Sequence, residues 1–164
     1  MAKTSLDKFD RGILRVLQRD ASLPVEEIAS EIGLSPSPCW RRIKALEAKG
    51  FIRSRVALLD RGRLNVDVTV FVAVRTNQHT TEWSQRFAKV VSEIPEVVEF
   101  YRMSGHTDYL MKIVIPDIAA YDAVYKTLID KIPMFDVTSM FAMEQIKSTT
   151  EIPLGYVAVG KRQG

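Results

Sequence analysis

Few residues of this chain are suited to covalent or metal chemistry: two histidines, His79 and His106, and one cysteine, Cys39, among 164 residues. They fall in three separate segments. A nucleophilic site needs Ser or Cys, His and an acid brought together, and neither a GxSxG turn nor a Cys-His signature is present. His106 and Asp108, in the stretch SGHTDYL of residues 104–110, offer two metal ligands at i and i+2 with no recognisable third. No glycine-rich phosphate loop suggests a nucleotide cofactor. The expectation is a protein that is not an enzyme, holds no metal and needs no cofactor.

The cations are more telling. Residues 1–64 carry 13 Lys and Arg against 8 Asp and Glu, whereas residues 65–164 carry 10 against 12. Eight of the basic residues lie between Arg41 and Arg63, with only Glu47 and Asp60 among them. A basic amino-terminal third followed by a slightly acidic remainder suggests a polyanion-binding domain joined to something else. With 46% hydrophobic and 26% charged residues the composition is that of ordinary globular domains. No apolar run approaches the roughly 20 residues that span a bilayer, and the first residues lack the apolar segment of a secretory signal. A lone cysteine suits a reducing compartment. A cytoplasmic location without membrane contact is expected.

These cations must be positioned by helices. Leu6, Phe9, Ile13 and Leu17 recur at the spacing of one helical stripe, with Asp7 and Asp10 at its start, predicting a helix over 7–20. Pro24, Glu26 and Glu27 open a short second helix whose apolar side is Ile28, Ala29 and Ile32, closed by Gly33 in a left-handed cap. In GLSPSPCWRRIKALEAKG, Ser35 is a good N-cap, Pro36 suits the first helical position and Gly50 marks the stop. On the wheel of this third helix Cys39, Ile43 and Leu46 share one side, with Ser37, Arg41 and Lys44 opposite and Trp40 at the flank. Three helices with a tight turn between the last two predict a helix-turn-helix whose third helix enters a major groove. FIRSRVALLD, residues 51–60, reads as an extended wing or pairing strand.

The second half has strand periodicity. VDVTVFVAVRT places Val66, Val68, Val70, Val72 and Val74 on one face and Thr69, Phe71 and Ala73 on the other, so both faces expect cover. Trp83, Phe87, Val90, Val91 and Ile94 give a helix, VVEFYRM and YLMKIVI two strands, Tyr121, Val124, Tyr125, Leu128 and Ile132 a second helix, and VTSMFAMEQI a fourth strand. That order, β-α-β-β-α-β, predicts a ferredoxin-like fold, and EIPEVVEF and KIPMFDVTSM form a weak internal repeat. Two helices cover one face of a four-stranded sheet, so the second apolar face predicts pairing with another copy. In IPLGYVAV, near the end, a final strand is one reading.

With these residues in view, GLSPSPCWRRIKALEAKGFI, the connecting ALLD, SGHTDYLM and FAMEQIK together resemble the Lrp/AsnC family of transcription regulators, over about residues 6–150. The resemblance implies an α+β chain with a winged helix-turn-helix domain over 1–53, a linker with a hinge strand over 54–65, a βαββαβ effector-binding and oligomerisation domain over 66–150, and a tail over 151–164. It implies double-stranded operator DNA and a small amino acid as partners, and a homodimer assembling further, commonly to an octamer. EWSQRFAKVVSEIPEV, SGHTDYLM and DVTSMFAMEQIKSTT are closer to members that respond to cysteine than to the leucine-responsive branch. The competing function is an amino-acid-binding or metabolic protein whose helix-turn-helix serves as a protein contact.

The expected DNA-binding residues are Ser35, Ser37, Trp40, Arg41 and Lys44 toward base edges, sugar or phosphate, with Arg42, Lys49, Arg53 and Arg55 toward phosphates. Cys39 belongs to the packed face. For the effector, Ser104 and Gly105 make a turn whose freed amides suit a carboxylate, and Asp108 is an acceptor for an ammonium group. The corresponding family loop, with help from the last strand and a neighbouring subunit, forms the effector pocket. The expected residues are Gly105, His106, Thr107 and Asp108, with Arg102, Ile118 and Ala142 as walls. The chain departs from a common family pattern at His106, where many members carry an acid, and that lost charge bears on which ligand is preferred.

Overall fold

Asp7 decides where the first helix begins. Its carboxylate accepts from the backbone amides of Phe9 and Asp10, both at 2.9 Å, and Asp10 answers toward the Asp7 amide, closing a reciprocal capping box. Helix α1 (Lys8–Arg19) follows, then α2 (Val25–Ile32) and α3 (Pro36–Ala48). Gly33, at φ +72°, takes the left-handed conformation that ends α2 and turns the chain into α3. Leu6, Ile13, Val16, Ile28, Cys39, Ile43 and Leu46 close the core between the three helices. The α1 stripe is rotated slightly from expectation: Leu14 and Val16 are buried, while Phe9 and Leu17 are only half-buried. At Gly12 a Cβ would lie 3.0 Å from the Ile32 side chain, so α1 and α2 approach closely there.

The computed structural model describes residues 6–157, and it divides into two units, one running to Ala57 and resuming at Lys147, the other Leu58–Ile146. Residues 53–60 are exposed and form no strand within the chain. A strand needs a partner ladder, and none is offered here among the described residues.

The second unit contains β1 (Val68–Arg75), α4 (Thr81–Ser92), β2 (Val97–Arg102), β3 (Tyr109–Ile115), α5 (Ile118–Lys131) and β4 (Asp136–Phe141). The sheet order is β2-β3-β1-β4 and every pairing is antiparallel, the split βαββαβ arrangement of a ferredoxin-like fold. Val70, Val72, Val74, Met111, Ile113 and Ile115 pack under α4 and α5, joined by Trp83, Phe87, Val124, Leu128 and Ile132. Phe87 stands edge-on to both Phe100 and Tyr109, which ties α4 to the β2–β3 pair. β4 is shorter than its apolar pattern suggested. Its register against β1 reaches Val70 opposite Phe141, after which the Ala142 amide makes one last bond to the Thr69 carbonyl. Only Val68 of β1 lies beyond that point, and Met143 and Ile146 stand exposed rather than in a strand.

The far side of the sheet carries Phe71, Ala73, Leu110 and Val114, all half-buried, and the exposed Met140. An ion pair between Lys112 and Glu99 at 2.8 Å lies among them. The Arg61 guanidinium caps one corner, donating to the Val66 carbonyl and to Thr69 Oγ1.

The tail belongs to the helical unit. Thr150 Oγ1 donates to the Gln18 carbonyl at 2.9 Å and the Ile152 amide donates to Gln18 Oε1 at 2.7 Å, at the end of α1. Leu154 and Val157 pack against the helix-turn-helix core. Within IPLGYVAV, Leu154–Tyr156 form a turn of 3-10 helix instead of the predicted strand; Ala158 and Val159 lie outside the described residues.

Candidate nucleic-acid interface and effector site

The outer side of α3 is assembled by the turn that precedes it. Ser35 has the extended backbone of an N-cap, but its side chain makes no capping bond and its hydroxyl faces solvent. Pro36 at the first helical position gives up no hydrogen bond, because amides there have no intrahelical acceptor. Ser37, Arg41 and Lys44 are exposed, and Trp40 is 52% exposed, a large aromatic with no packing reason to be there. Cys39, Ile43 and Leu46 are buried opposite.

The cations have different surroundings. Arg42 is not a free phosphate ligand as expected: its Nη1 lies 2.8 Å from Asp7 and 2.7 Å from Asp10, with the guanidinium 5.5 Å above the Phe9 ring. It fastens α3 to the first turn of α1. Partial burial of Asp7 works against its charge, but the Asp10 amide and the Arg42 guanidinium outweigh that and hold its carboxyl below the ordinary value. Lys44 and Arg55 are also engaged, at 2.8 and 3.1 Å from the two oxygens of Glu47. Arg41, Lys49 and Arg53 are exposed and have no carboxylate partner among the described residues. Within α3 that leaves Arg41 as the unpaired cation, beside Trp40 and near the amino-terminal half that a helix-turn-helix presents to bases.

The SGHTDYL loop joins β2 to β3. Gly105 has φ +104°, a conformation closed to most side chains, so the turn needs glycine. Asp108 is fixed at the sheet end: Oδ2 accepts from the Thr76 amide at 2.8 Å, its amide donates to the Val74 carbonyl, and its carbonyl accepts from Met103. One carboxylate oxygen is left over. His106 is exposed and Thr107 half-buried.

Next to this loop is a small polar depression of about 120 Å³. Arg102, Met103, Asp108 and Tyr109 form one side, and His79, Thr80, Thr81 and Ser84, at the start of α4, form the other. Thr80 caps that helix by accepting from the Trp83 amide at 3.2 Å. The depression therefore brings a basic residue, Arg102, an acidic one, Asp108, and Thr80, Thr81 and Ser84 together with the start of α4. Of the expected effector residues it includes Arg102 and Asp108 but not Gly105, His106 or Thr107. Residues 79–84 were missed because they meet the loop only through the β1–α4 connection.

Ile118 and Ala142 do not reach it. Tyr109 pairs with Val74 at one end of β1, whereas Ala142 follows Phe141, opposite Val70, and Ile118 follows Ile115, opposite Val68. Six residues of strand separate the two ends, roughly 20 Å at about 3.3 Å per residue. Within one chain they are not walls of one pocket. Among the described residues no group of three His, Cys, Asp or Glu is placed to hold a metal, and no helix is long and apolar enough to cross a membrane.

Residues 6–53 match the model of a winged helix-turn-helix DNA-binding domain, and residues 69–152 that of the Lrp/AsnC ligand-binding domain. The DNA-binding transcriptional activator DecR of Escherichia coli K12 is 46% identical over 150 residues, covering 91% of this chain and 99% of that one. The glutamate uptake regulatory protein of Zymomonas mobilis is 44% identical over 149 residues, 91% of each. Among solved structures, an AsnC family transcriptional regulator from Agrobacterium tumefaciens superposes with a TM-score of 0.90 at 61% identity, over 92% of this chain and 99% of that one. A Neisseria meningitidis transcriptional regulator in complex with L-Met gives 0.87 at 36% identity, over 92% and 98%. The two matched halves follow the two structural units in order, and the chain belongs to the Lrp/AsnC family of transcription regulators.

Proposed function

We propose that this protein is a cytoplasmic, nucleoid-associated, homo-oligomeric transcription regulator that reads duplex DNA with Trp40 and Arg41 and responds to a small amino acid at the Arg102–Asp108 site. The observation that carries the DNA reading is the pairing pattern on α3. Arg42 and Lys44 are engaged with carboxylates, while Arg41 is exposed beside Trp40 and two serine hydroxyls. Arg41 suits a bidentate contact to guanine, Trp40 a sugar or thymine methyl, and Ser35 and Ser37 phosphate oxygens. Lys49 and Arg53 add phosphate contacts that give affinity and salt dependence.

The effector reading is supported by the depression that brings Arg102 and Asp108 together and by the L-Met complex of the Neisseria relative. In it, Arg102 takes the carboxylate and the remaining Asp108 oxygen takes the ammonium. The space is small and polar, which favours a short side chain, and cysteine is the first candidate to test. The exposed loop residues Gly105, His106 and Thr107, with Ile118 and Ala142 from a neighbouring copy, would complete the enclosure in the oligomer. A thermal-shift panel of the twenty amino acids tests this. One small amino acid should raise Tm in the wild type by mass action and not in Asp108→Asn. No shift with any of them, or an undiminished shift in the variant, contradicts the site.

The half-buried apolar far side of the sheet supports pairing between copies, and twofold pairing implies inverted half-sites in the operator.

A further inference from the structure

Glu47 is the one carboxylate of α3 and sits in its last turn; the inference rests on the proposed reading of α3 as the DNA-contacting helix. A negative charge at a helix carboxy-terminus faces the negative end of the macrodipole, so this is a poor place for one on helix grounds alone. Its surroundings show what offsets that. Oε2 accepts from Lys44 Nζ at 2.8 Å, one turn earlier on α3, and Oε1 accepts from Arg55 at 3.1 Å, in the exposed segment after the helix. Each oxygen thus holds a separate cation. The Lys44 hydrogen bond is the main reason that the Glu47 carboxyl lies below its ordinary value.

Without Glu47, Lys44 and Arg55 would be two further cations free of that carboxylate, ready for any phosphate. Non-specific DNA binding consists almost wholly of such contacts, whereas specific binding adds contacts to base edges. A phosphate that reaches Lys44 or Arg55 must compete with the carboxylate and meets its like charge at close range. In a complex locked by base contacts the phosphates occupy one register, chosen with Glu47 in place. In a sliding, unlocked complex they sample all registers, including those that run onto Glu47. The two complexes therefore feel the carboxylate unequally.

We propose that Glu47 sets the ratio of specific to non-specific DNA affinity, by occupying Lys44 and Arg55 and by repelling phosphate that approaches them out of register. The test uses the full-length protein and two duplexes, the one that wild type enriches from a random-sequence library and a scrambled version, titrated by fluorescence anisotropy over a range of salt. Glu47→Gln keeps the shape and an acceptor for Lys44. It should tighten binding to the scrambled duplex about tenfold near ~0.1 M salt, steepen the log–log salt slope by up to about two, one for each freed cation, and tighten the enriched duplex about threefold at most. Glu47→Asp, which keeps the charge, should hold the ratio within about twofold of wild type. In a Lys44→Ala/Arg55→Ala background the same Glu47→Gln change should move the scrambled duplex by only about twofold, because the cations it releases are gone. Equal changes on both duplexes, weaker binding to both, no change, or an undiminished effect in the doubly substituted background would each overturn the proposal and leave Glu47 as a structural tie.

Discussion

Arg41 and Arg42 are adjacent in sequence and differ in what they can do. Arg41 points to solvent without a carboxylate partner among the described residues, and Arg42 is held by Asp7 and Asp10. Arg41→Ala should weaken binding to the selected duplex by about ten- to a hundredfold, the ~1–3 kcal/mol of one bidentate base contact, with Tm unchanged. Arg42→Ala should instead lower the Tm of the helical unit, and weaken all duplexes alike by loosening the seat of α3. The pH dependence follows from Asp7. Its folded-state carboxyl is held below the ordinary value, so its stabilising contribution is present above the unfolded-state value and is lost as pH falls through the folded-state one. Wild-type stability measured from neutral pH into acid should therefore fall more than that of Asp7→Asn, which keeps an acceptor at the N-cap but no titrating charge. The outward place of Arg41 was legible from the helical wheel, but the tie of Arg42 to α1 was not. The carboxylates that hold Arg42 lie 32 or more residues away, beyond the reach of a local pattern.

At the scale of elements, legibility followed the range of the forces involved. Helix α1 was predicted over 7–20 and runs Lys8–Arg19 between its caps Asp7 and Asp20, because caps and stripe are local. The third strand was placed at its observed bounds, since buried and half-buried residues alternate along Tyr109–Ile115 without interruption. The fourth strand was drawn too long because MEQI continues the apolar pattern, and only the end of β1 stops it. The tail was left without a role because nothing in EIPLGYV indicates that its partner is Gln18, over a hundred residues earlier. Its packing makes a simple prediction. Leu154→Ala should destabilise the helical unit by about 1 kcal/mol, the loss from a half-buried leucine, seen as a lower Tm for the unit containing Trp40 fluorescence.

At the scale of the whole molecule, two of the seven expected effector residues, Ile118 and Ala142, lie apart from the other five within one chain. Residues assigned from a resemblance carry no record of which copy supplies them. Ile118 and Ala142 lie at the opposite end of β1 from Asp108, so they can join that site only from another subunit. The open, half-buried sheet face is the surface proposed to pair copies, and that proposal is testable by itself. Leu110→Glu places a charge among Phe71, Ala73 and Val114 on that face and should convert the oligomer to smaller species by light scattering, with the buried face under α4 and α5 intact. An amino acid that bridges copies would then shift their geometry and the spacing of the recognition helices, a coupling that must appear in DNA affinity. The most direct measurement is the affinity of the full-length protein for the duplex it selects from a random library, with and without each of the twenty amino acids. The account predicts that a duplex with inverted half-sites is enriched and that at least one small amino acid changes its Kd by about fivefold or more. Failure to enrich any duplex at low salt, or a Kd indifferent to all twenty, would contradict it.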